Sequence, residues 1–378
     1  EQDIDIATPE SPETVVRLLE NAGIKIYNTG IEYGTISAQI SNMKFEITTL
    51  RRDVETDGRN AIVAFTNDWI IDAERRDFTF NALSVTPEGC LYDSFNGLSD
   101  LSRGLVRFIG VADERLTEDV LRILRYFRFY GLFSRLPADR DALKACSRHS
   151  KKLSNLSGER IWNEMSKILL TPEPGNVAEL MSNNGIFKYI LPEAKNFRRI
   201  TKVGWLENKL SKQLTIRPDP LRRLAALIDT NPKGAEELSK RWRLSNLEAL
   251  RLITMVSSTL SIDPDINLID LKRALHTLGS KMMSDLTLLA WSEELVNTPQ
   301  HKNRRINEWI GILEKCENWI DIKFPLNGND VVALGFEEGP SVGILLSKVR
   351  DKWEKGGYID GRETCLEYLA FEARDIQI

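Results

Sequence analysis

A change of pattern near residue 113 constrains the fold of this chain more than any other feature. Before it, short β-rich runs such as IKIYNT, GTISAQI and KFEITTLR are mixed with helical segments. After it, apolar residues have helical spacing almost throughout, and Pro and Gly fall at the ends of the helical segments. The sequence therefore predicts an α+β fold, with a small N-terminal α/β domain over residues 1–112 and an all-α remainder.

Local signals within the first domain are also clear. SPETVVRLLENAG predicts a helix capped by Ser11, with Pro12 in its first turn and Gly23 at its end. The SNM connection between GTISAQI and KFEITTLR predicts a hairpin. The polar, glycine-containing stretch RRDVETDGRNA (51–61) predicts a flexible loop.

Composition excludes several classes of protein. No apolar run reaches the roughly 18 residues of a membrane-spanning helix, so we expect no membrane contact. The four cysteines lie far apart, which is typical of free thiols in a reducing compartment and predicts a cytoplasmic protein. The three histidines are isolated, which argues against a zinc site and against a histidine-based catalytic triad. The sequence does not determine the oligomeric state.

Charge is unevenly distributed behind a net charge of −4. The first hundred residues are acidic, whereas residues 101–170 and 198–223 are basic. An acidic N-terminal region followed by basic segments fits a cation-binding active site beside a surface that binds a polyanion. Solvated helix faces are the alternative interpretation. In the second basic segment, the candidate RNA-binding residues are Arg198, Arg199 and Lys202.

Three carboxylates of the first domain are candidate catalytic residues. Asp3 and Asp5 are two apart in a strand-like run, so they share a face and would repel one another without a cation between them. Glu46 could supply a third carboxylate if its strand lies beside the first. Mg²⁺ prefers such oxygen ligands, and paired metal ions support phosphoryl transfer. An edge strand with a wet polar face is the alternative.

Two further motifs combine arginine with carboxylate or amide groups. In RRDFTFNAL, Arg76 can donate to phosphate and Asn81 can bind a ribose hydroxyl, although a capped helix with solvent-facing arginines is the alternative. TEDVLRILRYFRF predicts a single helix capped by Thr117, with Asp119 and Arg122 on one face. Because Asp accepts and Arg donates, this pair could read the edge of a base, or it could be an intrahelical ion pair.

These motifs, taken in order, resemble those of bacterial class II tRNA nucleotidyltransferases. This family comprises the CCA-adding enzymes of the polymerase-β-like superfamily, and bacterial poly(A) polymerases are close relatives. The matching motifs are D-I-D, the flexible loop, R-R-D-F-T-F-N-A, D-S-F-N-G-x-x-D-L, E-D-V-L-R-x-L-R and E-R-x-x-x-E. By this resemblance the chain is divided into a nucleotidyltransferase head (1–112), a neck with a nucleotide template (113–170), an RNA-binding body (171–260) and a tail (261–378).

The resemblance implies a reaction and assigns residues to it. It implies template-independent addition of C, C and A to the 3′ end of tRNA from CTP and ATP, with release of pyrophosphate and Mg²⁺ held by Asp3 and Asp5. The residues assigned to the incoming nucleotide are Arg76 and Asn81 for triphosphate and ribose, Asp77 for the 2′-hydroxyl, Asp119 and Arg122 for the base, and Arg125. The residues assigned to the flexible loop that switches the site from C to A are Arg51, Arg52, Asp53, Asp57, Gly58 and Arg59. Arg160 and Glu164 are assigned to stabilising the neck.

The sequence departs from the family at three places and leaves alternatives open. The Gly-rich segment that precedes D-x-D in the family has no counterpart here, so we expect a preceding segment to complete the nucleotide site. Ser94 and Asn96 replace residues that are commonly Pro and Gly. Poly(A) polymerase, an A-adding enzyme and a catalytically impaired RNA-binding paralogue remain alternatives.

Overall fold

A computed structural model describes residues 4–41, 43–56, 61–298 and 305–374. The chain divides into two compact units, Glu1–Phe197 with Lys240–Leu244 and Arg198–Ser239 with Ser245–Ile378. The strands found among the described residues lie in the first unit: β1 Ile4–Thr8, β2 Lys25–Gly30, β3 Thr35–Ile40, β4 Met43–Thr49, β5 Arg51–Thr56, β6 Ala61–Phe65, β7 Ser84–Val85 and β8 Leu91–Tyr92. Strands within the described residues end at Tyr92, so the predicted α+β class with an all-α remainder is confirmed.

The first unit contains nine α-helices within the described residues. They are α1 Pro12–Asn21, α2 Trp69–Glu74, α3 Gly97–Arg103, α4 Ala112–Glu118, α5 Arg122–Phe133, α6 Arg140–His149, α7 Gly158–Leu169, α8 Pro174–Asn183 and α9 Phe187–Ile190. The predicted cap of α1 is present, because the Ser11 side chain accepts from the Thr14 N–H at 3.3 Å.

The main sheet has the strand order β1-β4-β3-β2, with β1 parallel to β4 and the other neighbours antiparallel. The predicted hairpin between β3 and β4 is confirmed. Ile36 and Ala38 of β3 are fully buried, and α1 lies against β2 and β3 with Val15 buried. The sheet therefore has one face covered by α1, and the alternate residues of β1 and β4 point away from that face.

An aromatic cluster fixes α5 against the segment that carries RRDFTFNAL. Phe78 packs on Phe108 with ring centroids 4.9 Å apart, and Tyr126 of α5 stacks on Phe108 at 5.6 Å. Phe129 of the same helix meets Phe78 and Phe80 edge to face, at 5.3 and 5.2 Å. Because aromatic pairs of this kind are buried and directional, they determine which side of α5 faces the motif.

The regular secondary structure of the second unit's described residues is all helical. The helices that lie wholly or mostly in it are α10 Phe197–Leu210, α11 Pro220–Leu227, α12 Pro232–Trp242, α13 Asn246–Ser257, α14 Leu268–Asn297, α15 Ile306–Glu317, α16 Gly328–Val332, α17 Pro340–Lys355 and α18 Arg362–Arg374. α14 is kinked at Gly279, where φ is +79° and the chain leaves the helical conformation. Trp291 and Trp309 stack in the core between α14 and α15.

The four-part division into head, neck, body and tail stays a prediction, since the boundary between the two units lies inside the predicted body. In the part of the chain that is described, no helix is long and apolar enough to cross a bilayer. The described cysteines carry no disulfide.

Candidate functional site

Two of the three candidate carboxylates lie side by side on the main sheet. In the parallel pair β1–β4, Asp5 is directly opposite Glu46. Asp5 is exposed, and the half-exposed Glu46 accepts from Lys44 Nζ at 2.7 Å. Asp3 lies outside the described residues. Among those described, no cluster of three or more possible metal-ligating side chains is found.

The donor chemistry of this pair fits a magnesium ion. Like charges directly opposite on neighbouring strands are destabilising, so a cation beside Asp5 and Glu46 would be favourable. Carboxylate oxygens on an open face also leave room for the waters and phosphates that Mg²⁺ retains.

Asp72 anchors the two arginines that follow α2, and sequence analysis did not identify it. Its buried carboxylate receives Arg75 Nη2 at 2.9 Å, Arg76 Nη2 at 3.3 Å and the Arg51 backbone N–H at 3.1 Å. The spacing of Asp72 and Arg76, four residues apart near a helix end, was the available signal. The Arg76 side chain is 40% exposed, so it keeps donors for a ligand.

Asp77 connects this motif to α5. Its Oδ1 accepts from Asn81 Nδ2 at 2.8 Å and from the Phe78 N–H at 3.0 Å, while Oδ2 accepts from Arg125 Nε at 2.5 Å. The structure thus brings together three residues that the sequence assigned to one nucleotide site. Asp77 is buried and three of its roughly four acceptor positions are taken, so only one position, on Oδ2, is left for a ribose hydroxyl.

The prediction of one continuous helix through TEDVLRILRYFRF is wrong. α4 ends at Glu118, Asp119 has an extended backbone (φ −146°, ψ 108°), and α5 begins at Arg122. Thr117 does not cap the helix, since its hydroxyl donates to the Asp113 carbonyl inside α4 at 2.8 Å. The break arises because the Asp119 side chain accepts from the Leu121 N–H at 3.0 Å, a local bond that competes with helix continuation.

Asp119 and Arg122 each have a partner other than one another. The Asp119 carboxylate receives Arg160 Nη2 at 3.1 and 3.2 Å. Arg122 pairs with Glu118 and also donates to the Arg75 carbonyl at 2.9 Å. Glu118, which the sequence analysis does not single out, therefore holds the guanidinium of Arg122 in place.

Arg160 and Glu164 of α7 each form an ion pair with a residue outside that helix. Arg160 binds Asp119, and the buried Glu164 binds Arg128 of α5 with Nε–Oε2 at 3.4 Å. Through these pairs the two residues tie α7 to α5 and to the segment before it. Their assignment to stabilising the neck stays a prediction.

The predicted flexible loop begins as a strand. Arg51, Arg52 and Asp53 belong to β5 and pair with Phe65, Ala64 and Val63 of β6. Burial, and then the nearby Arg75, lower the pKa of Arg51. The assignment of these three residues to a loop is therefore wrong. They pair in a hairpin, and their side chains alternate between half-buried positions (Arg51, Asp53) and an exposed one (Arg52). Asp57, Gly58 and Arg59 lie outside the described residues.

The basic segment 198–223 is divided between surface and interior. Arg198 is exposed and Lys202 is half-exposed. Arg199 instead pairs with Glu293 of α14, with Nε–Oε2 at 3.2 Å, and burial lowers its pKa. This ion pair leaves Arg199 poorly placed to contact RNA. Arg222 and Arg223 are buried against Glu207.

Comparison with known proteins identifies the family. Residues 1–107 match the family model described as the poly A polymerase head domain, and residues 138–198 match a probable RNA and SrmB-binding site of polymerase A. The mouse CCA tRNA nucleotidyltransferase 1, mitochondrial, is 35% identical over 97% of this chain and 82% of its own length. This chain belongs to the CCA tRNA nucleotidyltransferase family. The CCA-adding enzyme of Streptococcus gordonii is 36% identical, over 97% of this chain and 88% of its own.

A solved CCA-adding enzyme has the same fold. The crystal structure of the Bacillus stearothermophilus enzyme in complex with CTP matches with a TM-score of 0.76, over 99% of this chain and 89% of that chain, at 22% identity. The family resemblance carried by the motifs is confirmed by these relatives.

Proposed function

We propose that this chain adds C, C and A to the 3′ end of tRNA, using CTP and ATP and releasing pyrophosphate. The relatives that match it over nearly its whole length support this reaction. The observation that carries the proposal is the Asp77–Arg125 ion pair, since it joins the candidate nucleotide motif to α5 beside Arg122.

Asp119 and Arg122 are the proposed readers of the incoming base. Cytosine and adenine each present an amino donor beside a ring-nitrogen acceptor, whereas guanine and uracil present a carbonyl beside a ring N–H. A carboxylate acceptor next to a guanidinium donor therefore matches C and A and mismatches G and U. Glu118 and Arg160 support this selection, because they restrict the orientations of the two reading groups.

Asp5 and Glu46 would hold Mg²⁺, together with Asp3 as the resemblance implies. When bound there, such an ion supplies charge neutralisation at the α-phosphate and favours the deprotonated 3′-hydroxyl of the tRNA. Arg76 and Arg125 are 40% and 33% exposed, so their guanidinium groups can bind the triphosphate. Asp77 orients Arg125 and Asn81, and through them it sets the position of phosphate and ribose. No side chain is covalently modified in this scheme.

Arg198 and Lys202 are the proposed RNA contacts of the body, since both reach the surface. The compartment stays a prediction: the sequence suggests a cytoplasmic enzyme, whereas the mouse relative is named mitochondrial. No observation here favours poly(A) polymerase, an A-adding enzyme or an inactive paralogue.

The decisive experiment uses a tRNA transcript that ends at its discriminator base, with Mg²⁺ and with CTP and ATP singly and together. We expect three added nucleotides, resolved on a sequencing gel, only when both nucleotides are present, and no addition by the Asp5→Asn variant. A long ladder with ATP alone would indicate poly(A) polymerase. Addition of one A to a transcript already ending in CC, with none of the earlier steps, would indicate an A-adding enzyme. No addition to either transcript would favour the RNA-binding paralogue.

A further inference from the structure

The solvent-facing side of α10 combines one tryptophan with regularly spaced cations. Trp205 is 48% exposed, although Trp242, Trp291, Trp309 and Trp353 elsewhere in the chain are buried. Two cations precede it, Arg198 by seven residues and Lys202 by three. Two more follow it, Lys209 by four residues and Lys212 by seven. These intervals place the four cations on the same side of the helix as Trp205, Lys212 lying just past the helix end. These five residues are called the α10 face below.

The charges of this face are all positive. Every charged side chain from Arg198 to Arg217 that reaches solvent is cationic, because Glu207 in this stretch is fully buried against Arg222 and Arg223. The nearby Glu293 is already paired with Arg199. Among the ion pairs of the described residues, the four cations of the α10 face do not take part. A surface with this charge attracts a polyanion.

Trp205 adds a second feature that phosphate binding alone would not need. Lys209 Nζ lies 4.8 Å from the centroid of the Trp205 ring. Interleaved aromatic and basic groups are the pattern that RNA-binding proteins use, with cations on phosphates and an aromatic ring against a base. The four cations extend over on the order of 20 Å of helix, which is long enough to follow several nucleotides.

We propose that the α10 face is an RNA contact in which the cations neutralise phosphates and a nucleobase or ribose of the substrate packs on Trp205. This inference rests on the proposed function for the identity of the RNA as tRNA. It extends beyond the matched RNA-binding segment, which ends at residue 198.

The test measures binding of a fluorescein-labelled tRNA transcript lacking its CCA end, by anisotropy and without nucleotides, over a series of salt concentrations. We expect Trp205→Ala to weaken binding about tenfold with an unchanged salt slope, and Trp205→Phe to restore most of the affinity, because stacking needs only an aromatic face. The double variant Lys209→Gln, Lys212→Gln should reduce the slope of log K against log salt by about 1.5.

Two controls separate this contact from general surface effects. Leu247→Ala removes a side chain that is 81% exposed in the same unit, and Lys233→Gln removes an exposed lysine that already faces Glu237. Both should bind like the parent. If Trp205→Ala binds within twofold of Leu247→Ala, and the lysine double variant keeps the parental slope, the proposal is wrong. Because no nucleotide is added, this result is independent of whether the parent extends tRNA, which tests the proposed function separately.

Discussion

The chain contains two networks of arginines and carboxylates that differ in their exposure to solvent. The neck network comprises Asp77–Arg125, Asp119–Arg160 and Glu164–Arg128, and in its first two pairs the arginine side chains are 33% and 27% exposed. The buried network joins Arg222, Arg223 and Arg251 to Glu207, Asp285 and Asp219, with every side chain less than a fifth exposed.

The same chemistry therefore has two uses. A guanidinium that still contacts water can exchange a protein partner for a phosphate or a base at modest cost. A buried guanidinium cannot exchange its partner in this way, since breaking its pair leaves an uncompensated charge in the low-dielectric protein interior. We expect mutations in the buried network to act on stability and mutations in the neck network to act on nucleotide use.

The largest expected effect is from Asp285→Ala. Asp285 is fully buried and receives Arg222 Nε and Arg251 Nε, each at 2.8 Å. Its removal leaves two buried guanidinium groups without this partner, so we expect the free energy of unfolding to fall by about 3–5 kcal/mol. Urea denaturation followed by circular dichroism measures it.

Asp141→Ala is the matched control for that variant. Asp141 is exposed and lies 3.6 Å from Lys144, so its loss should change the unfolding free energy by less than about 1 kcal/mol. Equal denaturation midpoints for the two variants would remove the distinction between buried and exposed pairs.

A smaller and different effect is expected from Arg160→Ala. Its loss frees the Asp119 carboxylate to reorient, so we expect KM for CTP and ATP to rise about tenfold with a small change in unfolding midpoint. Arg160→Lys should restore part of the affinity, because it keeps the charge but loses the fixed guanidinium geometry. The measurement is steady-state kinetics on a tRNA transcript.

Arg243→Ala serves as the control, since Arg243 pairs with the exposed Glu159 on the same helix as Arg160. It should leave both kinetic constants unchanged. If Arg160→Ala lowered stability as strongly as Asp285→Ala and left KM unchanged, the neck network would be structural only.

Much of the fold could be predicted because its signals are local. The cap and Pro of α1, the β3–β4 hairpin and the helical spacing beyond residue 113 each depend on residues close in sequence. Family motifs also selected Asp77, Asn81 and Arg125, which the structure brings together.

The errors concern side chains whose partners are distant in sequence. Asp119 interrupts a helical pattern while its carboxylate binds Arg160, 41 residues away. Arg222 belongs to a basic segment, but its partner Asp285 is 63 residues away. Neither burial nor such a partner is visible in a local pattern of charge, so the sequence indicates the charge of Asp119 and Arg222 but not the residues with which they pair.

The smallest expected effect tests the buried network through pH. Burial opposes ionisation of Asp219, but the Arg222 backbone N–H and the Arg251 guanidinium outweigh it and lower the pKa of Asp219. A carboxyl with a lowered folded pKa adds stability above its unfolded pKa of about 3.9, and this stability is lost as the pH falls through the folded pKa.

Asp219→Asn keeps a residue able to cap α11 and removes only the charge. We expect it to lower the unfolding free energy by about 1 kcal/mol at pH 7, with the difference from the parent shrinking as the pH falls below about 4. Urea midpoints measured between pH 7 and pH 3 check this, and a difference that stayed constant over that range would mean that ionisation of Asp219 is not the source of the stability difference.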